Sequence, residues 1–359
     1  MIQFLIGVGI VLFLVILLTI FRILRLINVA RGTDKKAAAT SGNRINAALF
    51  IVFMVVGGGL MVWYSISEFD KYTPPVASEH GVVTDRLFWI TMAVTGFVFI
   101  LTNVLLFYFS FRYQYKEGSK ALFYPDNSKL EVIWTIIPAI VLSILVFSGW
   151  KAWTDITDKA PDDAEVIEVL GYQFGWTVRY PGTDNQLGAY DYRLIDAENI
   201  WGMDFTDKAS FDDFTSTTEI HVPKGKPVLF KIRARDVLHS VYVPELRLKQ
   251  DAVPGMPTRF WFEANKSTAE MREETGDPDY NYNIFCAEVC GRGHFSMRLR
   301  LIIDEPDEYE AWKAGKQPWL QGNPDYLAKV PSDLKELAVI SAGINTPEEG
   351  KPLEAETTN

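Results

Sequence analysis

The sequence predicts a membrane anchor of four transmembrane α-helices followed by an external all-β domain of sandwich or barrel type. Three observations lead there. The apolar residues crowd into the first 150 positions, basic residues alternate from loop to loop within that half, and from about residue 163 the pattern becomes short β-branched and aromatic runs separated by turn residues. A chain of 359 residues has room for two such domains.

Four apolar runs, 2–22, 46–66, 87–111 and 131–150, are each long enough to cross a hydrocarbon core of about 30 Å as a helix of about 20 residues. The first could be read as a secretory signal, but its leading Met-Ile-Gln carries no basic residue and its apolar stretch exceeds a signal core, so it is expected to remain as a helix. Basic residues favour the cytoplasmic side. The loop after the first run holds Arg22, Arg25, Arg31, Lys35, Lys36 and Arg44 against Asp34. The next holds Lys71 and Arg86 against Glu68, Asp70, Glu79 and Asp85, and the third is basic again with Arg112, Lys116, Lys120 and Lys129. The N-terminus and everything after residue 150 are therefore expected outside. Residues 1–150 carry a net charge of +4 and the remaining 209 a net of −14, which argues against nucleic acid and is suited to attracting a basic partner or to plain solubility.

The external half reads as strands in EVIEVLGYQFGWTVRY, TTEIHVPKG, PVLFKIRAR, HSVYVPELRL, TRFWFEA, YNYNIFC and MRLRLIID, an antiparallel arrangement of seven or more. An acidic insertion at 181–217 interrupts it. The expected division is an anchor at 1–150, an external domain at 151–316 and a C-terminal extension at 317–359, with a helix from about 332 and a polar, mobile tail.

The stretch FCAEVCGRGHFSM, Phe285 to Met297, contains both cysteines of the chain. Their external location favours a disulfide. Their company favours a soft metal, because thiolate, imidazole and thioether together select copper, whereas zinc has little use for a thioether. Two thiolates could serve two ions as bridges if a second histidine joins His294, from among His80, His221 and His239. His80 reads as solvated, His221 as a surface or turn residue, and His239 as sitting where the chain turns between strands, free to approach the cysteine loop.

DVLHSVYVPELRLKQDAVPG together with CAEVCGRGHFSM resembles subunit II of the haem-copper cytochrome c oxidases, which carries the dinuclear CuA centre. LEVIWTIIPAIVL, residues 130–142, resembles the second helix of that family's membrane hairpin, and the likeness spans roughly residues 87–315. It implies a cupredoxin-like Greek-key domain in which Cys286 and Cys290 bridge two coppers, His239 and His294 bind one each, Met297 completes one and the main-chain carbonyl of Glu288 the other. The Glu288 carboxylate would face a magnesium or manganese ion at the contact with subunit I. Glu131 would lie near the mouth of a proton path. The implied partners are subunit I, further oxidase subunits and a cytochrome c or c-type cytochrome domain, in a multi-pass protein of a bacterial inner membrane with its copper domain on the periplasmic side. GYQFGWTVRY matches the family's aromatic segment, so Phe174, Trp176 and Tyr180 are candidates for accepting the electron, although Phe174 stands where many members have tryptophan. Asp204, Asp207, Asp212, Asp213 and Asp251 are candidates for steering a basic donor. The rivals fit less well. A quinol oxidase subunit lacks the ligands, a nitrous oxide reductase lacks the anchor, and a copper chaperone needs neither the paired histidines nor Glu288.

Overall fold

The structure is a computed structural model that describes residues 2–31, 41–115 and 120–344; Asp34, Lys35, Lys36, Lys116 and the polar tail after 344 lie outside them. Helices α1 (Ile2–Ala30), α2 (Ser41–Ser67), α4 (Glu79–Arg112) and α5 (Ser128–Thr157) correspond to the four apolar runs, and α3 (Phe69–Tyr72) is a single turn. All four long helices have the length and composition to cross a membrane. Helices α4 and α5 begin ahead of their apolar runs, where polar side chains cap them. The Ser78 hydroxyl accepts the Gly81 amide at 3.0 Å at the start of α4, and the Asn127 side chain accepts the Leu130 amide at 3.1 Å at the start of α5. Thr19, Thr95, Thr102 and Ser110 return their hydroxyls to carbonyls one turn back, which satisfies those polar groups within the helix itself.

The chain divides into two compact units, Met1–Thr73 with Ile90–Ala139, and Pro74–Trp89 with Ile140–Asn359. In the first, Phe107 of α4 meets Phe50 and Phe53 of α2 at ring distances of 6.0 and 5.8 Å. In the second, the segment before α4 is built into the β-domain. Ser78 bridges Ala264 and donates to the Leu246 carbonyl at 2.7 Å, and Arg247 grips both oxygens of Asp85 at 2.7 and 2.8 Å. His80 is accordingly packed edge-on against Trp261, at 4.3 Å, instead of being solvated.

Among the described residues, ten strands form two five-stranded sheets. The first has the order β3 (Phe214–Ser216), β2 (Gly175–Tyr180), β1 (Glu165–Tyr172), β5 (Pro227–Ala234), β8 (Thr258–Glu263). The second has β4 (Glu219–Pro223), β10 (Arg298–Asp304), β9 (Tyr282–Cys286), β6 (His239–Val243), β7 (Leu248–Ala252). The expectation of a purely antiparallel arrangement is corrected in two places, since β1 pairs β5 and β10 pairs β4 in parallel. The chain leaves the first sheet after β3, adds β4 to the second and returns beside β1, and such changes of sheet leave no trace in local alternation. Between the sheets, Ile167, Val169, Val178, Phe230 and Ile232 pack against Ile220, Val241, Ile284, Leu299 and Leu301.

The outer face of β1 is buried as well. Trp201, Met203, Phe205 and Phe211 from the insertion join Leu170 and Leu320, Val330, Ala338 and Ala342 of the C-terminal segment in a second core. That segment contains α7 (Pro306–Ala314), α8 (Trp319–Gly322) and α9 (Lys335–Ser341); α6 (Thr268–Thr275) lies between β8 and β9. His221 is buried, contrary to its reading as a surface residue. Its ring stacks on Trp312 of α7 at 4.1 Å and its Nδ1 meets Asp304 at 2.6 Å.

Beneath the second core lies a buried quartet of ionisable side chains. Glu168 bonds Arg179 at 2.7 Å through one oxygen and Arg233 through the other, and Arg179 reaches Asp213 at 3.2 Å. Burying ions costs several kcal/mol each unless their partners are in place. Arg179 and Arg233 meet this by also donating to the carbonyls of Gly188 and Trp201. Asp213 is the least served member: its contact with Arg179 is long for a charged pair and its Oδ1 has no partner. Burial therefore pushes its carboxyl up to about 8, despite the downward pull of Arg179 and the Gly188 amide. The folded state thus holds this proton more tightly than the unfolded chain. The stabilisation is complete below the ordinary value of 3.8 and is lost as pH rises through about 8. Thermal unfolding followed by tryptophan fluorescence should show a falling midpoint between about pH 4 and about pH 8, and Asp213→Asn should flatten that slope. An unchanged slope in the variant would refute the assignment.

Candidate metal centre

The centre sits at one end of the second sheet. Cys286 is the last residue of β9 and pairs with Val241 of β6, so the start of β6 and the end of β9 converge. The Cys286 amide donates to the Met297 carbonyl at 3.2 Å and the Ala287 amide to the Ser240 carbonyl at 3.0 Å, closing the loop at its base. Within the loop, Gly291 has φ of +134°, which excludes most side chains, and a 3₁₀ turn over His294–Ser296 swings the histidine back over the cysteines.

Six potential donors are gathered here. The two sulfurs are free thiols 3.9 Å apart. Beside Cys286 Sγ lie His239 Nδ1 at 3.9 Å and the Glu288 carbonyl at 3.2 Å. Beside Cys290 Sγ lie His294 Nδ1 at 3.7 Å and Met297 Sδ at 3.8 Å. Among the described residues, His239, Cys286 and Cys290 are the group of His, Cys, Asp and Glu whose donor atoms converge closely enough to hold one ion, all within 4.8 Å of one another. His239, both cysteines and Met297 are buried. Burial, and then the neighbouring Cys286, push the Cys290 thiol up to about 11, so a cation is needed to ionise it near neutral pH. Buried sulfur donors with one imidazole each fit a soft, thiophilic metal such as copper.

The structure separates the other candidates. Trp176 and Tyr180 are fully buried, Trp176 with its ring 5.9 Å from that of His239 and Tyr180 with its hydroxyl donating to the His221 carbonyl at 2.9 Å. Phe174 is 41% exposed, and its ring lies over Gly291 and Gly293. Val289 and Phe295 of the loop are 81% and 89% exposed, so the loop carries apolar surface. Glu131 occupies the exposed first turn of α5, where the helix dipole favours an acid.

Two of the acids suggested for steering must be withdrawn. Asp212 is buried and caps Thr183 at 2.6 Å, and Asp213 belongs to the buried ionisable quartet. Asp204 and Asp207 are half-buried and accept local amides, whereas Asp251 stays partly exposed between Ser240 and Lys249. Sequence reasoning missed Asp236 and Gln173. The Asp236 carboxylate meets His239 Nε2 at 2.9 Å, which leaves Nδ1 to face Cys286, and the only hint was the Asp three residues before the histidine.

Both halves of the chain are similar to known proteins. Residues 165–304 match the family model described as the periplasmic domain of cytochrome c oxidase subunit II, and residues 62–152 match the model of its transmembrane domain. The alternative cytochrome c oxidase subunit 2 of Bradyrhizobium diazoefficiens is 34% identical over 74% of this chain and 90% of its own length. The cytochrome c oxidase subunit 2 of Thermostichus vulcanus is 26% identical over 72% of this chain and 82% of its own, and that of Alkalihalophilus pseudofirmus 30% over 67% and 60%. Four helices able to cross a membrane, a β-domain of this topology and these matches together mean that the chain belongs to the cytochrome c oxidase subunit II family, as an integral membrane part of an oxidoreductase complex.

Proposed function

We propose that this chain holds a dinuclear copper centre of the CuA type, takes up electrons from a c-type cytochrome and delivers them to haem in subunit I, where oxygen is reduced to water with coupled proton translocation. The observation that carries this reading is the pairing of donors, an imidazole nitrogen and one weaker neutral donor beside each of two adjacent thiols. A mononuclear copper site needs one thiolate, whereas two thiols with separate histidines offer enough soft donors that they would hold two ions. A pair of copper ions bound there would relay single electrons while spreading the change in charge over many bonds.

The chain's own contribution is to keep those bonds from moving. His239 and Cys286 are held by paired strands, Met297 is fixed by the base of the loop, and the rings of Trp176 and His239 meet edge to face. Contact with an external donor falls to Phe174, Val289 and Phe295, since Trp176 and Tyr180 lie beneath the surface. The Glu288 carboxylate is assigned to a magnesium or manganese ion at the contact with subunit I, and Glu131 to the mouth of a proton path. The external domain is assigned to the periplasmic side of a bacterial inner membrane, in keeping with the loop charges.

The purified oxidase complex should contain two coppers in this subunit, with one unpaired electron shared between them in the spin-resonance spectrum. Cys290→Ser should lose the shared signal and keep at most one copper; retention of both with an unchanged spectrum would refute the reading. His221→Ala, which removes a ring bonded to Asp304 and stacked on Trp312, should leave the copper count intact.

Sidedness can be tested with an impermeant thiol reagent on intact cells. Ser78 is unsuitable as a probe because it is fully buried. A cysteine replacing the exposed Lys71 should react, and one replacing the exposed Lys120 should be protected until the membrane is opened. The reverse pattern would invert the orientation.

A further inference from the structure

The turn between β1 and β2 makes contact with the metal loop through Gln173 and Phe174 and with Asp236 through Gln173, and none of the proposed donors lies on it. The Gln173 amide donates to Asp236 Oδ2 at 2.8 Å, while Asp236 Oδ1 engages His239 Nε2 at 2.9 Å. The Gln173 side chain donates to the Cys290 carbonyl at 2.6 Å. The Phe174 ring covers the backbone of Gly291 and Gly293 so closely that a Cβ at Gly293 would stand 2.5 Å from its Cγ. Among the described residues, Gln173 is thus the one bonded both to the carboxylate that orients His239 and to the main chain of Cys290.

A carboxylate accepts hydrogen bonds and donates none when ionised. Asp236 therefore requires the proton of His239 on Nε2, which frees the Nδ1 lone pair on the side facing Cys286. This is the arrangement by which a second carboxylate fixes the tautomer and ring angle of a metal-bound histidine and raises its basicity. The Asp236 amide neighbours reinforce it, since the Val237 amide also donates to Oδ1 at 2.7 Å. On the other thiol, the carboxamide of Gln173 holds the Cys290 peptide from outside the loop.

We infer that Gln173 is a positioning residue that, with Asp236, forms a strap joining the His239 half of the centre to the Cys290 half and so sets the metal geometry of both at once. The inference rests on the dinuclear copper reading above. It also accounts for phenylalanine at position 174, where the ring serves to press the loop onto the strap.

The test uses the complete oxidase complex with Gln173→Met and Asp236→Leu, which keep side-chain size while removing the donor or the acceptor, the conservative Asp236→Asn, and the double variant Gln173→Met/Asp236→Leu. The readouts are copper loss to a chelator, the copper hyperfine pattern of the shared spin signal, and deuterium exchange of the His239 ring proton seen by electron-nuclear double resonance. Each of Gln173→Met and Asp236→Leu should keep two coppers and an unchanged unfolding midpoint, yet release copper about 10–100-fold faster, the scale on which outer partners of metal ligands act. Asp236→Leu should also alter the hyperfine pattern and speed exchange of the ring proton, and Asp236→Asn, whose side-chain carbonyl can still accept that proton, should restore most of both. The double variant should be little worse than the poorer single one, because the two residues act as a unit. Parent-like copper release and spectra in Gln173→Met would overturn the inference, as would strictly additive losses in the double variant. If Asp236→Leu fails to assemble, Gln173→Met and Asp236→Asn still decide the matter. Absence of two coppers from the unmodified complex would instead refute the dinuclear reading.

Discussion

Two thiols 3.9 Å apart in a protein interior impose a constraint that the rest of the β-domain serves. The Cys290 sulfur resists ionisation where it lies, and if both thiols ionise without a cation their charges repel at short range. The loop that holds them cannot choose its own shape by hydrophobic packing, because its outer surface is exposed at Val289 and Phe295. It is held from below by the Cys286–Met297 backbone bond and from the side by the neighbouring strand β6. The soft donors are therefore positioned by elements whose own stability comes from the core between the sheets.

That core is backed by a second one. The insertion and the C-terminal segment, far apart in sequence, cover the outer face of β1 and bury Glu168, Arg179, Arg233 and Asp213 between themselves and the strand. Tyr326 donates to Asp196 at 2.6 Å and the Trp319 amide to the Asp213 carbonyl at 2.7 Å, so the two segments are also joined by hydrogen bonds. An antiparallel sheet can leave one face to water, but the strand that leads into the turn at Gln173 is enclosed on both. The strap on the metal loop therefore starts from a strand that has little room to move.

What the sequence disclosed was local. A membrane helix announces itself through one uninterrupted apolar run, and two cysteines four apart with a histidine and a methionine behind them are legible because all four lie within one loop. His239 was found as a turn residue near a strand, although its distance from Cys286 depends on the register of β6 against β9. His221 was misjudged because a histidine at the start of an alternating run gives no sign that Trp312, far along the chain, will stack on it. The acids of the insertion were likewise read as surface charge, yet Asp212 and Asp213 point inward to partners that only the fold brings near. The parallel pairing of β1 with β5 and the role of Asp236 escaped for the same reason: each rests on a contact between segments whose separate patterns are unremarkable.

Three glycines frame the centre, and each is closed by a neighbouring ring. A Cβ at Gly171 would fall 2.8 Å from the Trp176 ring and 3.1 Å from that of His239, one at Gly291 would meet Phe174 at 3.0 Å, and one at Gly293 would run into the same ring. None of them offers a functional group, and none would draw notice in a search for charged or polar side chains. Their effect is on mutational tolerance. Around this loop the forbidden substitutions are defined as much by the space already taken by Trp176, His239 and Phe174 as by the donors themselves, so a change as slight as one methyl group can be less acceptable than the exchange of an exposed charge.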